Sequence, residues 1–123
     1  MLLSRLPKGV LTTGKEILRH VLRRPVVGVA AAAQDAVAHL TRERVEGFLI
    51  HLDADCISDE QMPAVDYRLP GGLTFDDVAK VLRIALDSGK AVGLEVTIYN
   101  PSLDASGEAG RGLADALVKA LSR

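Results

Sequence analysis

Phe48-Leu49-Ile50-His51-Leu52 is a compact apolar run of strand length that stops abruptly at Asp53-Ala54-Asp55. Of everything in the chain, this run most restricts the fold. A continuous apolar stretch too short for a helix, bounded by polar residues, reads as a buried strand of a parallel sheet, covered on its faces by helices. Parallel strands need long crossover connections, so helical segments must flank it. In such sheets ligands bind outside the carboxyl ends of the strands, which puts the two aspartates where chemistry is expected.

The flanking sequence supplies those helices. Ala30 to Arg44 is Ala-rich, with Ala33, Ala36, Val37, Leu40 and Arg44 along one face. After a long connection, Cys56 to Gly72, Thr74-Phe75-Asp76-Asp77 matches a capping pattern. Val78, Val81, Leu82, Ala85 and Leu86 follow at helical spacing, and Gly89 stands where a C-terminal glycine closes a helix. Ala91 to Tyr99 reads as a second strand, stopped by Asn100-Pro101. A last helix is expected over Ala109 to Leu121, with Leu113, Leu117, Val118 and Leu121 as its apolar stripe. Upstream, Lys15 to Arg23 has the spacing of a short helix, and Val26 to Ala30 is read as a short strand, with the lead into the next helix as the alternative that periodicity over so few residues does not decide. Helix, strand, helix, strand, helix implies α/β architecture, helices layered on a parallel sheet.

Composition narrows the functional classes. Fifteen Lys and Arg against sixteen Asp and Glu give a net charge of −1, so no general attraction to nucleic acid or an anionic membrane exists. No segment has the length and apolarity of a membrane span. Met1 to Val10 lacks an unbroken apolar core followed by a small-residue cleavage site, and Cys56 is the lone cysteine; both fit a cytoplasmic setting.

Alternation along a strand puts His51, Asp53 and Asp55 on one side if the extended geometry persists. Two carboxylates so placed repel unless a cation lies between them, and a hard divalent ion resolves the conflict. The bland reading of an isolated Asp-x-Asp is a solvated loop. Context shifts the balance. His51-Leu52-Asp53-Ala54-Asp55, Met62-Pro63-Ala64-Val65-Asp66, Pro70-Gly71-Gly72-Leu73-Thr74, Val92-Gly93-Leu94-Glu95-Val96 and Asn100-Pro101, in that order, resemble the C-terminal signature of the ureohydrolase family of arginase, agmatinase and formiminoglutamase.

That resemblance implies a three-layer αβα fold with a parallel sheet, of which residues 26–123 would be the C-terminal portion behind an N-terminal segment, residues 1–25. It also implies a manganese-dependent hydrolase of guanidino or amidino C–N bonds, with Asp53 and Asp55 as metal ligands and Asp53 bridging two ions. His51 and Glu95 would neighbour the site, His51 held by hydrogen bonds within the sheet. Cys56 reads as a small buried hydrophobe, and Asp59 and Asp66 as residues that keep the loop soluble.

The chain departs from the family pattern twice. Where arginase itself has a glutamate that contacts the substrate, this chain has Ile98, so the resemblance does not extend to arginine specificity. The Gly-Gly-Asp-His and Asp-Ala-His-x-Asp motifs that carry the family's other ligands do not occur between Met1 and Glu46. The expectation is a truncated or split hydrolase, inactive by itself, that forms homo-oligomers and takes a small guanidino or amidino substrate when completed. The alternative is a non-catalytic scaffold or oligomerisation domain derived from the same family. A phosphate or nucleotide binder would need a Gly-rich loop between strand and helix, which is missing.

Overall fold

The computed structural model describes the backbone of residues 2–5 and residues 28–42, 45–68 and 70–122. In chain order the elements are β1 (Leu2–Arg5), α1 (Val29–Thr41), β2 (Phe48–Asp53), α2 (Phe75–Asp87), β3 (Ala91–Thr97) and α3 (Glu108–Leu121). Short 3-10 turns, Ala54–Cys56 and Pro101–Leu103, follow β2 and β3.

The sheet order is β1-β2-β3, and β2 and β3 are parallel, as the sequence predicts. Their register pairs Ile50 with Leu94, His51 with Glu95, Leu52 with Val96 and Asp53 with Thr97. β1 was not foreseen. It runs antiparallel to β2, pairing Leu2 with His51 and Arg5 with Phe48, so the sheet is mixed. The expected helix at Lys15 to Arg23 lies outside the described residues, as do Val26 and Val27. The expected strand at Val26 to Ala30 is corrected in its second half: Val29 and Ala30 begin α1. The alanine run that follows favours the helix, and so few residues carry no strand periodicity to oppose it.

Phe48, Ile50 and Leu52 are fully buried and form the floor of the core. Leu40 of α1, Val78, Leu82 and Ala85 of α2, and Ala109, Leu113 and Ala120 of α3 all join the same cluster. The described helices therefore supply one helical layer on one face of the sheet. α2 is capped as expected: the Thr74 hydroxyl accepts from Asp77 N at 3.1 Å, and Asp77 Oδ2 accepts from Thr74 N at 3.2 Å. Gly89 takes φ 67° just past its end. α3 is rotated from expectation. Val118 and Leu121 are exposed, and the buried stripe is Ala109, Leu113, Ala116 and Ala120. Small residues let α3 come close to α2: an added Cβ on Gly112 would lie 2.4 Å from Cε2 of Phe75. Lys119 Nζ also meets Asp76 Oδ1 at 2.7 Å between the same helices.

The long connection after β2 is packed rather than loose. Ile57 bridges to Leu73, Ser58 N donates to Leu73 O at 2.8 Å, and Leu73 N donates to Cys56 O at 2.9 Å. Gly72, at φ 116°, passes so near that a Cβ there would sit 2.8 Å from Ser58 N. Met62, Ala64 and Val65 are buried beneath the loop, and Asn100 N donates to Ala64 O at 2.8 Å, tying the end of β3 to it. The connection is thus a compact surface loop held at both ends, of the kind that frames a site.

Candidate metal centre

Asp53 is the last residue of β2, with φ −88° and ψ 119°. The alternation expected to carry on through Asp55 ends there, because Ala54–Cys56 turns into a 3-10 helix. Ala54 is fully buried and continues the core row of Phe48, Ile50 and Leu52 through the turn. Asp55, on the turn, still lies close enough to Asp53 for the two carboxyl groups to influence each other. Burial pushes the Asp55 carboxyl above the ordinary aspartate range, and the negative charge and hydrogen bonding of Asp53 push it the same way.

Asp53 Oδ1 is buried and accepts no hydrogen bond among the described residues. A buried carboxylate oxygen without a donor carries an uncompensated desolvation penalty, and a cation is the simplest partner for it. Two adjacent carboxylates are hard oxygen donors of the type that suits manganese or magnesium. They form only part of a coordination shell. Among the described residues no group of three or more His, Cys, Asp and Glu side chains is arranged to hold a metal ion. The pair fits a divalent ion as a fragment of a larger ligand set.

His51 and Glu95 meet across the β2–β3 pair. His51 Nδ1 lies 2.5 Å from Glu95 Oε1, and His51 Nε2 lies 3.3 Å from Thr97 Oγ1. With both ring nitrogens engaged, His51 is a bridge within the sheet, as expected from the sequence. His39 is exposed in the last turn of α1, and His20 lies outside the described residues. Cys56 packs partly buried against the core, and burial pushes its thiol above the ordinary range, so it behaves as a small hydrophobe.

The loop carboxylates do not converge on the aspartate pair. Asp59 is ion-paired with Arg68, and Asp66 Oδ1 accepts from Asn100 Nδ2 at 2.9 Å. Three features had no clear sequence signal. Thr97 stands in register with Asp53, which only the strand pairing reveals. Asn100 is a junction, since it also accepts from Ser102 N at 3.0 Å. Ile98 takes φ 72°, a conformation that a β-branched residue rarely adopts.

The family model described as Arginase family matches residues 18–122. The arginase of Brucella melitensis is 33% identical over 98 residues, covering 78% of this chain and 31% of that protein. Arginase 2 of Arabidopsis thaliana, described as chloroplastic/mitochondrial, is 34% identical over 80 residues, 65% of this chain and 23% of the relative. In fold, the chain is similar to the arginase of Bacillus caldovelox (TM-score 0.71, 20% identity, 79% of this chain and 32% of that one). It is likewise similar to the formimidoylglutamase of Bacillus subtilis (TM-score 0.65, 21% identity, 74% and 28%). The chain thus spans about a third or less of the length of these relatives. With paired aspartates at the tip of a parallel strand and a family match that runs over most of its length, the chain belongs to the arginase family.

Proposed function

We infer that this chain carries part of the metal site of a manganese-dependent hydrolase acting on guanidino or amidino C–N bonds. The observation that carries this reading is the buried Oδ1 of Asp53, which has no donor among the described residues, beside Asp55 in a chain of the arginase family. Asp53 and Asp55 would be the residues of this chain that hold the ion. Manganese, when bound, supplies activation of water at neutral pH. The protein's own part is to hold the two carboxylates together against their repulsion, on a turn anchored by Ala54. Relatives named as arginases and a formimidoylglutamase support a small guanidino or amidino substrate. Ile98, at a position where the family resemblance implies a substrate-contacting carboxylate, argues against arginine itself.

The ligand set needs groups beyond this pair, so the chain by itself should release no urea from arginine or agmatine. Measurable turnover would contradict that. The metal reading is tested by calorimetric titration with Mn²⁺: binding that is lost in Asp53→Ala and in Asp55→Ala supports it, and no binding by the parent chain sinks it. A non-catalytic scaffold that forms homo-oligomers is the second reading, favoured by the exposed Val92 and Val96 on β3. A cytoplasmic setting belongs to the same proposal and is supported by the free thiol of Cys56.

A further inference from the structure

β1 differs from the rest of the sheet on three counts. It is antiparallel where β2 and β3 are parallel, it spans only Leu2–Arg5, and it lies before residue 18, where the match to the family begins. One edge of β2 is therefore covered by a segment outside the family-matched region. An uncovered strand edge is a template for pairing with another chain, and short covering strands are one way proteins blunt it. The edge under β1 is also self-complementary. Antiparallel pairing of β2 with a second β2, centred on Ile50, sets Phe48 opposite Leu52 twice and Ile50 opposite itself, so the fully buried row meets its own kind. The same register sets Asp53 opposite Gly47, and Gly47 to Leu52 contains no Lys, Arg, Asp or Glu, so no like charges are opposed. β1 already pairs antiparallel over Phe48 to His51, so this edge accepts that geometry.

We propose that β1 is a displaceable strap over a docking surface: when it lifts, the edge of β2 pairs antiparallel with β2 of a second copy about a two-fold axis at Ile50. The pairing is isologous and uses up the edge on both copies, so it closes at a dimer. β1 holds this surface shut because it is tethered to it and pairs with the same residues. Four residues paired on one side only, among the described residues, form the least anchored strand of the sheet and open first. The proposal concerns the edge of β2 and stands apart from the metal reading of the carboxylates at its tip.

The test uses the full chain with Val92→Lys, which charges the other open edge, on β3, and leaves β2 as the edge under study. Into it go Leu3→Pro and, separately, Ser4→Pro. Neighbouring strand residues send their N–H groups to opposite sides, so one of the two removes a donor to β2. Losing one backbone hydrogen bond raises the strap-open fraction by up to about tenfold, and because each copy carries a strap, dimerisation tightens by up to about a hundredfold. Sedimentation velocity is expected to show a monomer for Val92→Lys alone and a closed dimer for at least one proline variant. Hydrogen exchange should find the paired amides of Leu2–Arg5 at least about tenfold less protected than those joining β2 to β3. A dimer already present in Val92→Lys alone overturns the proposal. So do proline variants that both stay monomeric, that form open-ended aggregates, or that lose the fold by circular dichroism. Equal protection of β1 and the β2–β3 pair also overturns it. Mn²⁺ binding has no bearing on any of these outcomes, so the metal reading stands or falls separately.

Discussion

Ile98 sits between two anchors. Thr97 is held by His51 before it; after it, Tyr99 donates to Asp104 Oδ2 at 2.9 Å and Asn100 is tied to Ala64. Between them the backbone takes φ 72° on a β-branched side chain. That conformation costs roughly 1–2 kcal/mol for a residue with a Cβ. Because the side chain is 45% exposed, removing it forfeits little packing. Ile98→Gly should therefore stabilise the chain by about 1 kcal/mol, after allowing for the greater freedom of glycine in the unfolded state. The urea midpoint measures it, and a lower midpoint would mean that Ile98 is held by contacts worth more than its strain.

At the scale of elements, α3 is organised by a residue outside it. Asp104 Oδ2 accepts from Gly110 N at 2.8 Å and from the Tyr99 hydroxyl, and Asp104 Oδ1 accepts from Ala109 N at 3.3 Å. The Gly110 backbone bond, with help from Tyr99, holds the Asp104 carboxyl below the ordinary aspartate value of 3.8. A depressed folded-state value adds stability that is fully present above the ordinary value and is lost as pH falls through the folded one. Asp104→Asn should thus melt lower than the parent at neutral pH, and the gap should narrow below about pH 4. A gap that stayed constant down to pH 2 would show that the ionised form contributes nothing. Asp104 stood in a loop rich in Ser, Asp and Gly, and no sequence pattern separated it from its neighbours. The capping box of α2 was legible, because Thr74 and Asp77 are adjacent in sequence and their bonds are local.

At the scale of the whole molecule, β3 pairs only with β2 among the described residues, and its Val92 is 63% exposed. An open strand edge with apolar side chains is a template for pairing with another chain. Sedimentation velocity should show association that rises with protein concentration. Val92→Lys, which charges the edge, should shift the distribution toward monomer. A single monomeric species of the parent at all concentrations would contradict this. The same edge is where the scaffold reading and the hydrolase reading meet, since either predicts that β3 gains a neighbour.

Local patterning was enough to determine the order of α1, β2, α2 and β3, the cap on α2, and the two aspartates at a strand tip. Each depends on residues close together in the chain, where periodicity, capping chemistry and apolar runs act directly. Only tertiary structure decided that β1 joins β2 antiparallel, that α3 buries its alanines and leaves Val118 and Leu121 outside, and that Thr97 stands opposite Asp53. Strand register and helix rotation follow from which surfaces meet, and that is settled by packing between segments distant in sequence.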